Sequence, residues 1–582
     1  MARIKKLEIA NFRGIENLVW HPAPGLNCLI GPGDSGKSTI LDAIDLCLGA
    51  RRNVQFADTD FHGLEIGNSI SITLTLGDLD DALKSLDSYG LFLRGYRANT
   101  GALEDEPGHG AEVALCLNLT VSSDLEPSWT LLSERAAQQG IVKSLAWKDR
   151  LLLAPTRIGA LADYNLAWQR GSVLNRISEE RADASTALVR AAREARNAFG
   201  DQAEQQLGEA LGIVHATAQE LGVYVGACAK AMLDSHSVSF GAGTIALHSE
   251  AGIPLRGLGV GSTRLLIAGL QRRAAQGATI VLVDELEYGL EPHRITRFLG
   301  SLGAKETVPP LQAFLTTHSP VALRELSGAQ LFVVRRTPQG HVVQPVGTDN
   351  DIQSTIRLYP EAFLASSVIV CEGASEVGFL RGLDLHRVSL GLPSLAALGV
   401  ALVDCGGGTP DRPYERGNVF LRLGYRVMVV RDADTAPTPA VEQAFVASGG
   451  RFTTWRDGFA LEDEFFHSLP VNACLGLITY AWEVHETLVN AHLGTISNNT
   501  VNTDSIWAEA GAAVPALSAA TRSVLGRASR IRKAGWFKSI SWMEEAARNH
   551  VAPALFNAQP QVDATFTARI NCIFVWAGDA PR

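Results

Sequence analysis

Gly31-Pro32-Gly33-Asp34-Ser35-Gly36-Lys37-Ser38 decides how the first half of this chain folds. A glycine, four residues and then Gly-Lys-Ser is the pattern of a phosphate-binding P-loop. Its glycines let successive backbone N–H groups wrap a phosphate chain, and the helix that follows offers its positive end to the same anion. Lys37 reaches the terminal phosphates and Ser38 gives a hydroxyl to Mg²⁺. Gly31, Gly33, Asp34, Ser35, Gly36 and Thr39 complete the expected nucleotide-binding set. The flanks agree: residues 26–30 read as a buried strand, and a helix is expected from Lys37 to about Leu48. A plain glycine-rich turn is the bland alternative, and that strand and helix argue against it.

A second element lies far downstream. Ile280-Val281-Leu282-Val283 is an apolar strand ending in Asp284-Glu285. Asp284 is expected in the Mg²⁺ shell and Glu285 beside the attacking water. Alone, such a pair is often only a helix cap; with a P-loop upstream the catalytic reading dominates. Thr317-His318-Ser319-Pro320 follows the next strand, where ABC-type ATPases keep a histidine near the γ-phosphate. Residues 287–293, with Gly289 and Pro292, lie where that class has its D-loop. Gly259-Val260-Gly261-Ser262-Thr263 precedes a helix expected to begin near Arg264. It resembles the ABC signature, in which Gly261 and Ser262 meet the γ-phosphate of a second subunit. That reading requires a homodimer, although the wording departs from the standard Leu-Ser-Gly-Gly-Gln.

The chain has 582 residues, too many for one hydrophobic core, so two or three domains are expected. With 46% hydrophobic and 19% charged residues it is globular rather than disordered. No apolar run approaches the ~18 residues of a membrane-spanning helix, and no signal-peptide core follows the N-terminus, so a cytoplasmic protein without a membrane partner is expected. The eight cysteines sit at no zinc-ligand spacing, which argues against structural zinc. A net charge of −10 does not announce a nucleic-acid binder. A global sum can hide a local patch, however: Arg522, Arg527, Arg530, Arg532, Lys533 and Lys538 follow one another with no acid between them.

A second chemistry begins after residue 365. Val368-Ile369-Val370-Cys371 is a strand ending in Glu372-Gly373, and Glu376 lies one helical turn on. The strand at residues 425–430 ends in Arg431-Asp432-Ala433-Asp434. Carboxylates at the C-terminal ends of neighbouring parallel strands converge in one crevice, and such oxygen-rich groups suit Mg²⁺ or Mn²⁺. A helix cap at Glu372 and an Asx turn at Asp432 and Asp434 are the bland readings.

The whole pattern resembles the OLD (overcoming lysogenisation defect) family within the DNA-repair branch of ABC ATPases, which also holds the RecF and SMC proteins. The resemblance implies an α/β multidomain chain. An ABC-type P-loop ATPase at residues 1–175 and 236–350 is interrupted by a helical insertion at 176–235 that serves dimerisation. A Toprim α/β nuclease domain with a helical C-terminal part follows at 365–582. Leu461-Glu462-Asp463-Glu464-Phe465-Phe466 resembles the family's additional acidic segment, Gly535-Trp536-Phe537-Lys538 the segment with its essential lysine, and Gly406-Gly407-Gly408 a glycine turn. By that resemblance Glu372, Glu376, Asp432, Asp434 and Glu462 hold two metals, with Glu464 and Asp463 as further members, and Lys538 stabilises the pentacovalent phosphate. Arg527, Arg530, Arg532 and Lys533 grip DNA. By the same resemblance ATP regulates an endonuclease or nickase used in anti-phage defence or repair, and the sequence leaves open whether a helicase is its partner. The alternative is a RecF-like, ATP-dependent DNA-binding factor with an inactive Toprim domain. A topoisomerase-like reading lacks any motif around Tyr414, Tyr425 or Tyr480.

Overall fold

The computed structural model describes residues 2–51, 54–159, 165–166, 172–174, 190–191, 193–194, 198, 207–218, 226–227, 247–250, 254–274, 280–512, 515–531, 534–556 and 562–579. They form two compact units. The first comprises Met1–Leu29, Gly36–Ala322 and Gln339–His341; the second comprises Ile30–Ser35, Leu323–Pro338 and Val342–Arg582. The second unit thus takes in residues that the sequence reading gave to the ATPase part and to the boundary near 350–365.

In the first unit, Arg3–Phe12 pairs antiparallel with Ile15–Trp20 on one side and Ile70–Gly77 on the other. Ile4, Leu7, Ile9 and Phe12 are buried. Ile4 and Leu7 share a face despite their odd spacing because the register shifts between Ile4 and Lys6, and a bulge resets the two-residue alternation. Residues 99–112 contain a short strand, Ala102–Glu104, paired with Arg94–Arg97. A three-residue strand is too brief to show a period.

Four parallel strands, Thr156–Arg157, Ile280–Val283, Gln312–Thr316 and Leu26–Ile30, lie side by side in that order. Ile280–Val283 and Gln312–Thr316 are buried at every position, as expected of a parallel sheet covered on both faces. Lys37–Leu48 is the expected helix and buries Ile40, Leu41, Ile44 and Leu48. The signature helix is Val260–Ala274, four residues longer at its start than expected. Most of 176–235 lies outside the described residues; 207–218 within it is helical.

The second unit holds a four-stranded sheet ordered Val400–Asp404, Ser367–Cys371, Arg426–Arg431, Arg451–Thr454, with every pair parallel. Cys371 is level with both Asp404 and Val430, so Glu372 and Arg431-Asp432 leave the sheet at the same edge. A helical layer runs from Leu461 to Gly578. Its core is aromatic: Phe379 packs on Phe465 and Trp455 with ring centroids 5.3 and 5.9 Å apart. The helix Ala374–Ser389 meets Ile540–Ala546 with almost no gap. A Cβ on Gly378 would lie 2.5 Å from the Ile540 carbonyl oxygen, and one on Gly382 would lie 2.3 Å from that of Glu544. Two glycines one turn apart allow this approach, which docks the segment after Lys538 on the helix that begins after Glu372.

Candidate functional site

Two groups of the expected side chains are assembled, one in each unit. In the first, Ser38 donates to Asp284 Oδ1 at 3.0 Å, and the Thr316 hydroxyl donates to the same oxygen at 2.6 Å. Thr316 Oγ1 also accepts the Glu285 N–H at 2.8 Å. Glu285 is held at φ +47°, a left-handed conformation uncommon for a residue with a side chain. Lys37 is buried and Gly36 takes a positive φ, as does Asp34, which groups with the second unit. Glu287 accepts from the Thr317 hydroxyl at 2.6 Å and from the His318 N–H at 2.8 Å. Gly261 lies against residue 289 so closely that a Cβ would stand 2.0 Å from its carbonyl oxygen. Ser262 receives a hydrogen bond from Arg294 at 3.0 Å.

Two arginines escaped the sequence reading. Arg264 is fully buried and donates to the carbonyls of Asp284, Glu285 and Tyr288, clamping the loop after the acidic strand. Arg157 bonds Asp42 at 2.6 Å and pairs with Asp284 at 3.6 Å. An isolated arginine gives no periodic signal. Only its place among apolar neighbours, as in Arg264-Leu265-Leu266-Ile267, could have marked it.

In the second unit Glu372, Glu376, Asp432, Asp434, Glu462 and Asp463 gather at one edge of the parallel sheet. Three of the carboxylates each accept a backbone N–H. Glu372 Oε2 accepts the Asp432 N–H at 3.0 Å, Asp432 Oδ1 accepts the Leu461 N–H at 2.9 Å, and Glu376 Oε2 accepts the Gly373 N–H at 2.8 Å. Asp432 therefore caps the helix Leu461–Ser468 that carries Glu462, which ties two distant segments together. Neither bland reading describes these bonds: Glu372 accepts an N–H of another strand end and not of its own helix, and Asp432 accepts one from a distant helix and not within an Asx turn. Glu462 is 2% exposed, and its Oε1 is buried with no partner among the described residues.

The electrostatics follow from crowding. Burial, then the charges of Glu372 and Glu462, push the Glu376 carboxyl up to about 8. Burial, then the charges of Glu376, Glu462 and Glu372, raise Asp432 well above the carboxylate range, and burial raises Glu372 and Glu462. Lys538 acts on Glu372 and Glu462 through space. Among the described residues no three His, Cys, Asp or Glu side chains already form a metal ligand set. The acids are gathered, but their oxygens are aimed at backbone N–H groups and arginines.

The rest of the expected set divides. Glu464 is not part of the cluster: it is fully buried, 3.0 Å from Arg456, and accepts the Ser468 hydroxyl at 2.6 Å. Three residues sit in the acidic run, but helical geometry turns Glu464 away from Glu462. The basic stretch is not one surface either. Arg522 folds back onto the carbonyls of Phe466 and Leu469, closing the end of the helix Leu461–Ser468. Arg530 is drawn between Asp434 and Asp463. Arg527 and Lys538 are exposed, and Arg532 and Lys533 lie outside the described residues. Arg431, buried next to Asp432, donates to the Asp432 carbonyl at 2.6 Å and is held by Tyr414 at 2.8 Å and Glu442 at 3.0 Å. An arginine closing an apolar strand was its visible signal.

Among the described residues no helix is long and apolar enough to cross a membrane. Over 45 residues the chain is 42% identical to the DNA replication and repair protein RecF of Prosthecochloris aestuarii and 40% identical to that of Chlorobium limicola. These matches span 8% of this chain and only 12% of the curated relatives' length. Among solved structures, an SMC head bound to the C-winged helix domain of ScpA matches with 15% identity over 58% of this chain and 96% of that one, at a TM-score of 0.33. The SMC head domain from Thermotoga maritima matches with 13% identity over 60% and 100%, at 0.28. The family model described as "AAA domain, putative AbiEii toxin, Type IV TA system" matches residues 26–324. That match runs from the strand before the P-loop to beyond His318 and takes in more than half of the sequence, and by it the chain belongs to this AAA-domain family.

Proposed function

We propose that this protein is an ATP-regulated, metal-dependent DNA endonuclease or nickase of the OLD type, with an ATPase head and a Toprim catalytic domain on one chain. One observation carries the reading: carboxylates from three distant segments share one sheet edge, and a buried oxygen of Glu462 has no partner. Burying several like charges without a counter-ion is costly, and a divalent cation is the natural remedy at an all-oxygen site. Glu372, Asp432 and Glu462 are the residues to hold a first Mg²⁺ or Mn²⁺, with Glu376 beside them and Asp434 at the rim for a second. When bound, such ions activate water and stabilise the leaving 3′ oxygen. Lys538, on the exposed side, offers its ammonium to the phosphate, and Arg527 is placed to hold the DNA backbone.

At the other site Lys37 and Ser38 hold ATP with Mg²⁺, Asp284 supports the ion, and Glu285 orients the water. Gly261 and Ser262 serve the nucleotide of a second copy, so the working unit is a homodimer. ATP governs access to the nuclease rather than cleaving DNA. Anti-phage defence or repair, with or without a helicase partner, is the setting this reading suits.

The test is nicking of supercoiled plasmid with Mg²⁺, Mn²⁺ or Ca²⁺, with and without ATP. Asp432→Ala and Glu372→Ala should each lower metal-dependent nicking on the order of 100-fold or more, with ATP hydrolysis and thermal unfolding retained. Nicking that persists in both variants refutes the assignment. DNA binding with no cleavage by the wild type under any metal favours the RecF-like alternative.

A further inference from the structure

Arg530 follows directly on the helix Ala519–Ser529. Its Nη1 lies 3.0 Å from Asp434 Oδ2 and its Nε 2.8 Å from Asp463 Oδ2. A planar guanidinium spans two carboxylates in this way, where an ammonium would serve one. The cluster is therefore neutralised unevenly. Its outer acids, Asp434 and Asp463, have a cation in direct contact. Among the described residues the inner acids, Glu372, Glu376, Asp432 and Glu462, have none in direct contact, and Glu462 Oε1 is buried without a partner.

The two outer acids differ in freedom. Asp463 also accepts the Ala460 N–H at 3.0 Å, and Gly526 is packed so tightly on it that a Cβ there would fall 2.8 Å from the Asp463 Cα. The Asp434 side chain is 35% exposed. Any rearrangement happens at Asp434, while Asp463 stays as the anchor that keeps the guanidinium nearby.

We propose that Arg530 is a resident counter-ion at the second cation position, so that the cluster takes its metals one at a time. The first ion enters the unneutralised inner group. The second must take Asp434 from Arg530. The released guanidinium, only eight residues from Lys538 in sequence, becomes available to an anionic phosphate. This inference rests on the metal-site reading above, and it makes Arg530 a positioning residue and not part of a standing DNA-binding surface.

Titration calorimetry of the full chain with Mn²⁺ alone, without nucleotide or DNA, tests it. The wild type should show a tighter and a weaker phase. Arg530→Gln should strengthen the weaker phase about 10-fold and leave the tighter one unchanged. Asp434→Asn should abolish the weaker phase, and Arg530→Lys should fall between wild type and Arg530→Gln. Arg530→Gln should also lower the metal-free unfolding temperature, with recovery in Mn²⁺, which separates loss of a counter-ion from failure to fold. A weaker phase that is unchanged or weakened in Arg530→Gln overturns the proposal. If Asp432→Asn removes the tighter phase while Arg530→Gln changes nothing, only the role of Arg530 falls. If Asp432→Asn leaves both phases intact, the metal-site reading falls with it.

Discussion

The two acidic sites of this chain are built on the same plan and finished differently. Both place carboxylates at the C-terminal ends of parallel strands. At the first, Asp284 is met by two hydroxyls and faces Arg157, and Glu287 by a hydroxyl and a backbone N–H. At the second, three of the four inner carboxylates accept backbone N–H groups, and among the described residues the cations Arg431, Lys538 and Arg530 act on Glu372 and Glu462 only from a distance. The first is a set of positioned acids that awaits a ligand with its own Mg²⁺. The second carries an electrostatic debt inside the protein that only a proton or a cation can settle.

The sharpest way to break this contrast is the alanine pair already described, because loss of Asp432 or Glu372 should remove cleavage while sparing ATP hydrolysis. Next in size is a comparison within one acidic run. Glu464 is buried against Arg456, so Glu464→Gln should destabilise the fold by about 3 kcal/mol. Glu462→Gln removes a like charge from the cluster and should stabilise the metal-free protein by about 1 kcal/mol while abolishing cleavage. Opposite shifts in unfolding temperature are expected, and shifts of the same sign would dissolve the distinction. At the first site, Gly261→Ala forces a Cβ onto the carbonyl of residue 289. It should cost about 1–3 kcal/mol and slow ATP turnover with nicking in the absence of ATP unchanged.

The smallest effect concerns pH. A carboxyl raised from 4.5 to about 8 keeps its proton in the folded state where the unfolded chain has lost it. Its contribution to stability is therefore full below the unfolded value and is lost as pH rises through the folded one. In EDTA, the wild-type unfolding temperature should fall relative to that of Glu376→Gln between about pH 5 and pH 8. Saturating Mg²⁺ should flatten the difference. Parallel curves in EDTA would show that Glu376 is not a member of a crowded group.

The strands carrying these acids were legible because each is an apolar run that ends abruptly in charge: 280–283, 368–371 and 427–430. The P-loop helix was legible for the same reason, with Gly36 and Lys37 marking its start. What the sequence hid was pairing. Nothing in Glu462-Asp463-Glu464 tells which acid faces the cluster, because that depends on where the helix Leu461–Ser468 starts and on Asp432 capping it. The basic residues from Arg522 to Lys538 read as one patch only while the chain is flat; folding sends one to a helix end, one to the acids and others to solvent. Arg157 and Arg264 act across distances that no local pattern spans.

Gly535 offers one more consequence. A Cβ there would lie 2.5 Å from Lys538 Cγ and 2.9 Å from its Cε, so the lysine stem lies in the space that a side chain would fill. The placement of that ammonium is set by an absence of volume beside it. A single methyl group, as in Gly535→Ala, would tilt the lysine without altering any charge on the protein. Catalysis that depends on where the cation points could in that way be told apart from catalysis that depends only on its being near, by comparing nicking rates of Gly535→Ala and Lys538→Arg at equal metal occupancy.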